Sequence, residues 1–357
     1  METLGLHSLH QTAGAAFEET FGYNLPISYG DTAAECRSVR AHAGLFDRSY
    51  RGVLKVTGED RHAFLGGMLS NTVVGLEAGQ GNRTTMSDPK GQTLADAWLS
   101  DRGDFLILET EPGIQRKLRE SLDRFLITED TTLADATGAW AIVGIHGPAS
   151  PGILNSFLSE PLPDLPEGDS VNRVASGTEV TVTSKRYTGE VGFDLWCSPE
   201  SAEAVWTLAA QAGATPVGYE ASEVLRIEAG VACYGSDFGE ETIVLEAGLE
   251  HAVDFTKGCF IGQEPIAKMH HRGKPRRLLT GLRLERGHLP AAGTPLFVDG
   301  KRIGALGSSR VSPALDAVVA LAMLRRGMEA PGTEVRLEDG RAGQVCALPF
   351  IRTSTPS

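Results

Sequence analysis

The sequence predicts an α+β protein that ends in an all-β domain. Three observations carry this. Segments with apolar residues at helical spacing alternate with short β-branched runs up to about residue 229. The mixture starts a second time near Trp140-Ala141-Ile142-Val143. After Arg277 the pattern becomes short strands separated by Gly and Pro, without helical periodicity.

Taken in order, residues 9–21 read as a helix, with Ala13, Ala16, Phe17 and Phe21 at helical spacing. Tyr29-Gly30-Asp31-Thr32 opens a second helix through Cys36 and Val39. Gly52 to Thr57 is a strand, and Gly58-Glu59-Asp60 caps a helix through Phe64 and Leu65. Arg83 to Met86 and Gln92 to Leu99 are strands joined by Asp88-Pro89-Lys90-Gly91, whose Asp, Pro and Gly are turn residues. A strand from Asp104 to Glu109 and an amphipathic helix from Gln115 to Phe125 complete the first pass. In the second, Pro151 to Asp169 is a surface excursion rich in Pro, Ser and Glu. Arg186 to Trp196 reads as a hairpin, and residues 201–212 and 219–229 as helices. The closing strands are Leu278–Leu284, Leu296–Val298, Arg302–Ser308, Val318–Leu324 and Glu334–Leu337.

Composition narrows the function. Apolar residues make up 41% and charged residues 22% of 357, as in ordinary globular proteins. The balance of 46 acidic against 33 basic side chains, net −13, excludes a general nucleic-acid binder, which needs a basic face. The first residues carry no basic, apolar leader pattern, and no apolar run is long enough to span a bilayer. Five cysteines, Cys36, Cys197, Cys233, Cys259 and Cys346, form no CxxC pair, so no metal site follows from spacing. A reduced, cytoplasmic protein is expected. Neither GxGxxG nor a P-loop is present.

Four constellations could carry chemistry. Lys257-Gly258-Cys259-Phe260-Ile261-Gly262-Gln263-Glu264 sets a cysteine between glycines beside a lysine, where an ammonium favours the thiolate. Tyr187-Thr188-Gly189-Glu190-Val191-Gly192-Phe193-Asp194 reads as a tight tip that presents Glu190. Leu225-Arg226-Ile227-Glu228-Ala229-Gly230 ends a helix with a left-handed Gly, followed by Tyr234-Gly235-Ser236-Asp237. Asp88 to Asp96 is a hairpin ending on a single acid, and Asp96 faces away from the core side of its strand. A dense basic run, Lys268 to Arg277, follows the octet and reads as an interdomain linker or a docking surface for an anionic tail or acidic partner.

The octet meets every fixed position of the Lys-Gly-Cys-aromatic-x-Gly-Gln-Glu signature of the YgfZ family, folate-binding proteins that support iron–sulfur enzymes. The Tyr187, Arg226 and Asp88 segments, Glu246-Ala247-Gly248-Leu249, and Gly304 to Ala322 resemble stretches of the wider glycine-cleavage T-protein superfamily. That resemblance implies a ring of three domains. Residues 1–50 and 138–255 would form a discontinuous folate-binding domain, 51–137 an inserted α+β domain, 256–277 a cysteine-motif and basic linker, and 278–357 a β-barrel.

A tetrahydrofolate site needs a carboxylate for the pterin donor edge, flat or apolar walls, and a cation for the glutamate tail. The resemblance makes Glu190 the pterin anchor, with Tyr187 lining the pocket and Arg226 reaching or bracing the ligand. It implies a tetrahydrofolate-binding accessory protein that uses Cys259 in iron–sulfur cluster assembly or repair, with client or assembly proteins as partners. The alternative is a tetrahydrofolate-dependent aminomethyltransferase in which Asp96 is essential. A non-catalytic folate-binding module is the third reading. Against the aminomethyltransferase pattern, Asp88 replaces Asn, Gln92 replaces Gly and Ala95 replaces the first acid of a pair.

Overall fold

The computed structural model describes residues 2–352. Two antiparallel sheets pack on each other, and a closed six-stranded barrel follows them. The first sheet has the strand order Ser170–Ala175, Thr178–Ser184, Gly192–Cys197, Ala141–His146, Gly44–Asp47, Thr215–Pro216, with only the last pair parallel. The second runs Gly81–Ser87, Thr93–Asp101, Leu106–Thr110, Gly52–Thr57, Thr132–Asp135. This is the α+β class with a terminal barrel that the sequence predicts.

Strand alternation explains how the sheets meet. In Leu106–Thr110, Leu106 and Leu108 enter the apolar core beneath the helices Arg61–Met68 and Ile114–Asp123. Ile107 points the other way and packs with Val53, Ile142 and Trp196, so it joins the two sheets. Glu109 shares that face and is carried into the space between them.

Three elements differ from expectation. The helix at residues 9–21 stops at Thr12, and Ala16–Thr20 pairs with Tyr23–Ser28 as a hairpin. Gly14, at φ +78°, ends the helix, and Phe21 and Gly22 turn the chain at positive φ. The aromatic spacing is not one helical face: the Phe17 ring lies 4.5 Å from the His7 ring, and Phe21 packs on Tyr50 and Tyr219. Next, half of the basic run, residues 268–272, belongs to the helix Gln263–Arg272, started by Gly262 at φ +82°, and residues 273–276 connect that helix to the barrel. Finally, the barrel contains a further strand, Ala342–Cys346, which closes it between Arg277–Leu284 and Glu334–Leu337. Its Ala, Gly and Gln residues carry little β signal.

The predicted hairpin Arg186–Trp196 is shifted: its strands are Thr178–Ser184 and Gly192–Cys197, and residues 185–191 form the connection. That connection delivers Lys185, Arg186 and Tyr187 to the space between the sheets.

Candidate functional site

A cavity of about 250 Å³ lies where the two sheets, the helix Tyr219–Glu228 and the loop after it converge. Asp96 forms part of its wall. Its strand neighbours Ala95 and Ala97 are buried in the core cluster, so alternation turns Asp96 and Trp98 toward the cavity. An acid at position 95 would therefore enter the apolar core, and alanine there removes no cavity group. Arg83, on the neighbouring strand, grips Asp96 through both oxygens, Nε to Oδ1 at 3.0 Å and Nη2 to Oδ2 at 2.7 Å. Its Nη2 also donates to the Ala232 carbonyl at 2.9 Å. Burial works against the Arg83 charge, but the Asp96 carboxylate outweighs it and holds the guanidinium above its ordinary range.

The cavity floor is a buried ionic cluster that motif reading does not reveal. Glu109 accepts from Arg48 at 3.2 Å and Arg51 at 3.0 Å, and pairs with Lys185 at 3.0 Å. Arg51 also pairs with Glu111. Arg48 reaches Asp194 at 3.2 Å and covers the Tyr187 ring at 4.0 Å. Lys185 lies 3.9 Å above Trp98. Burial pushes the Lys185 ammonium down, to about 8, although Glu109 and Asp194 hold it up. Between about pH 8 and the ordinary 10.5, the unfolded chain binds a proton that the fold does not, so stability from this group rises with pH. Denaturation curves across that window should climb more for the parent protein than for Lys185→Met. A faint signal for this cluster exists in sequence, since Arg48, Arg51 and Glu109 are charges directly flanking or ending apolar strands.

The motif residues divide. Tyr187 lines the cavity, and burial pushes its phenol upward. Arg226 lines it too, but its donors are already engaged. They go to Glu223 at 2.8 and 2.7 Å, Asp237 at 2.9 Å, the Val231 carbonyl at 2.7 Å and Ser308 at 2.8 Å. Arg226 therefore braces helix, loop and barrel together. Glu190 is buried but is not part of the cavity wall. Burial raises its pKa, with Arg40 opposing. Residues that carry no motif also line the cavity, among them Tyr50, Tyr219 and the half-buried Cys233.

None of the octet lines the cavity. Cys259 is exposed. Lys257 does not serve a thiolate; its ammonium donates to the Leu69 and Asn71 carbonyls at 2.6 and 2.8 Å. Burial pushes its pKa down to about 8. Phe260 enters a core cluster with Tyr234, Phe238 and Ile266. Gly258 has open space around it, whereas Gly262 is sterically required. A Cβ on Gly262 would stand 2.6 Å from the Asp88 carbonyl, at φ +82°. Gln263 and Glu264 form the first turn of the following helix. These contacts fasten the segment to the Asp88 turn and to the helix Arg61–Met68. Gly262→Ala should lower stability by about 2–4 kcal/mol, through overpacking and backbone strain, in urea denaturation.

Comparison with known proteins places this architecture. Residues 6–257 match the model of the GCVT N-terminal domain, and residues 277–351 match the glycine cleavage T-protein C-terminal barrel domain. The chain belongs to the glycine cleavage T-protein family. It is 31% identical over 349 residues to an aminomethyltransferase of Rubrobacter xylanophilus, covering 97% of this chain and 93% of that one. It is 32% identical over 360 residues to an aminomethyltransferase of Streptomyces avermitilis, covering 97% and 96%. The crystal structure of glycine cleavage system aminomethyltransferase T from Bartonella henselae superposes with a TM-score of 0.88 at 27% identity, over 99% of this chain and 98% of that one. T-protein relatives thus match the chain nearly end to end, and they carry the aminomethyltransferase name. The narrower YgfZ resemblance rests on the octet.

Among the described residues no cluster of His, Cys, Asp or Glu is arranged to hold a metal, and no helix is long and apolar enough to cross a membrane.

Proposed function

We propose that the protein is a tetrahydrofolate-dependent aminomethyltransferase. It would take the aminomethyl group from a lipoyl carrier protein and pass its carbon to two nitrogens of tetrahydrofolate, the C–S and C–N bonds breaking to release the carrier's thiol and ammonia. The observation that carries this reading is Asp96, fixed by Arg83 on the wall of a cavity in a chain of T-protein architecture.

The cavity fits a folate by its donor set. Glu111, partly exposed on the wall, has one carboxylate oxygen engaged by Arg51, which leaves the other for a donor edge. Trp98, Tyr187 and Tyr219 supply flat faces. Arg186 offers its guanidinium to an anionic tail: its backbone amide donates to Glu167 and its carbonyl accepts from Gly189, but among the described residues its side chain has no partner. Bound tetrahydrofolate supplies the amines that accept the one-carbon unit. Asp96, held in one orientation by two hydrogen bonds, would position the reacting amine and stabilise positive charge that develops there. Arg226 would act through Glu223 and Asp237, keeping the loop at residues 231–237 in place as part of the wall.

The test is aminomethyl transfer from a loaded lipoyl carrier protein to tetrahydrofolate, with this chain as sole catalyst. Multiple turnovers support the proposal; no transfer beside an active T-protein control overturns it. One observation, the exposed Cys259 thiol, favours the accessory role in iron–sulfur cluster assembly or repair. The two readings separate on Cys259→Ala. Because Cys259 lies outside the cavity, the transferase reading expects a rate within about twofold of the parent. Loss of iron–sulfur enzyme rescue in a deletion strain, with transfer absent from the parent protein, would instead support the accessory role.

A further inference from the structure

The basic run that the cavity does not use forms part of a second feature. An open groove of about 1210 Å³ runs between the Asp88–Gln92 turn, the helix Gln263–Arg272 and the barrel. Lys90, Lys268, Arg272, Lys274, Arg325 and Arg326 line it, all exposed. Among the described residues, none of these six has an ion-pair or hydrogen-bond partner through its side chain. The groove's carboxylate Glu246 is taken by Arg277 at 3.0 Å. Glu241, the other acid, is the one anion left to face them.

Helix polarity explains only part of this. Cations in the last turn of Gln263–Arg272 interact favourably with the negative helix end, which accounts for Arg272. Lys90, Lys274, Arg325 and Arg326 come from other segments, and their convergence costs mutual repulsion. In a chain of net charge −13, an acidic partner is repelled by most of the surface and attracted here, so the groove also fixes orientation. The groove is not purely polar: Ile243, Pro265, Met269 and Ile303 contribute apolar surface between the cations. A simple polyanion would leave that surface unused.

We infer that this groove docks an acidic segment of a partner protein, with apolar side chains seated between flanking carboxylates. The groove and the cavity share no lining residue, so the inference stands apart from the transfer reaction.

Fluorescence anisotropy with the intact protein tests it. The probe is a labelled peptide, Glu-Glu-Leu-Glu-Glu-Met-Glu-Glu, compared with α-linked octaglutamate, γ-linked heptaglutamate and a short DNA duplex. The mixed peptide should bind at least about threefold more tightly than octaglutamate, with affinity falling as salt rises. The double variant Lys268→Glu/Arg272→Glu should weaken it by about tenfold or more. Arg325→Ala/Arg326→Ala, on a different element, should weaken it by about threefold with an unchanged melting temperature. Equal binding by both variants would overturn the proposal. So would heptaglutamate or DNA binding as well as the mixed peptide, because the groove would then be a surface for polyanions in general.

Discussion

Asp96→Asn is expected to reduce aminomethyl transfer by about 10²–10⁴-fold while leaving the fold intact. The asparagine keeps the size of the side chain, and its amide oxygen still accepts from Arg83. The negative charge at the cavity wall is lost. Arg83 retains its bond to the Ala232 carbonyl, so the guanidinium is not left bare. The side chains of both partners are close to a tenth exposed, which moderates the electrostatic loss, and stability should fall by about 1–3 kcal/mol. The informative measurement is kcat against the binding constant for tetrahydrofolate. A carboxylate that stabilises developing charge moves kcat far more than binding. Loss of binding with kcat preserved would make Asp96 a holding residue. A fully active variant would remove it from the reaction.

Arg83→Lys separates fixation from charge. Lysine preserves the positive charge but not the forked, two-point grip. If the fixed orientation of Asp96 matters, this variant should lose about tenfold or more in rate. Below the range in which the new lysine titrates, its pH profile should keep the parent's shape, because Asp96 remains.

The legible and the hidden parts of this molecule differ for physical reasons. Barrel strands such as Val318–Leu324 show apolar β-branched runs between turn residues, and four of the five expected strands lie within a residue of their expected bounds, while the one expected over Arg302–Ser308 continues to Ser312. Asp96 was legible because a lone acid in an apolar strand points to the uncovered face. The spacing of Phe17 and Phe21 imitates a helix, yet the two rings go to different neighbours across a Gly-based turn, Phe17 to His7 and Phe21 to Tyr50 and Tyr219. Arg226 was located by its motif, but its role depends on Ser308 and Asp237, which only tertiary structure brings near. In the octet, local sequence suggested an activated thiol. The Lys257 ammonium instead ties down carbonyls 186 and 188 residues earlier in the chain. Glu109 was hidden most completely. Its partners come from two distant segments, residues 48–51 and Lys185, and charges beside strand ends are only a faint local mark of such a cluster.

That cluster carries the largest expected effect on stability. The Glu109 side chain is 2% exposed and faces three cations. Glu109→Gln preserves shape but leaves Arg48, Arg51 and Lys185 with less compensating charge. Breaking a buried ionic group by removing one partner costs about 3–5 kcal/mol, a large part of the ~5–15 kcal/mol that holds a typical domain together. Burial pushes the Glu109 carboxyl up, and Lys185, Arg51 and Arg48 pull it further down, to well below its ordinary 4.5. Its contribution is therefore complete above about pH 4.5 and is lost as pH falls through the lower folded-state value. The stability gap between parent and variant should be constant from about pH 5 to pH 7 and narrow below about pH 4. Urea denaturation at both ends of that range measures it. Adding Lys185→Met to Glu109→Gln should recover part of the loss, since one uncompensated cation is removed. A gap that persists unchanged into acid, or a double variant no better than the single one, would show that Glu109 acts through packing and that its charge is incidental.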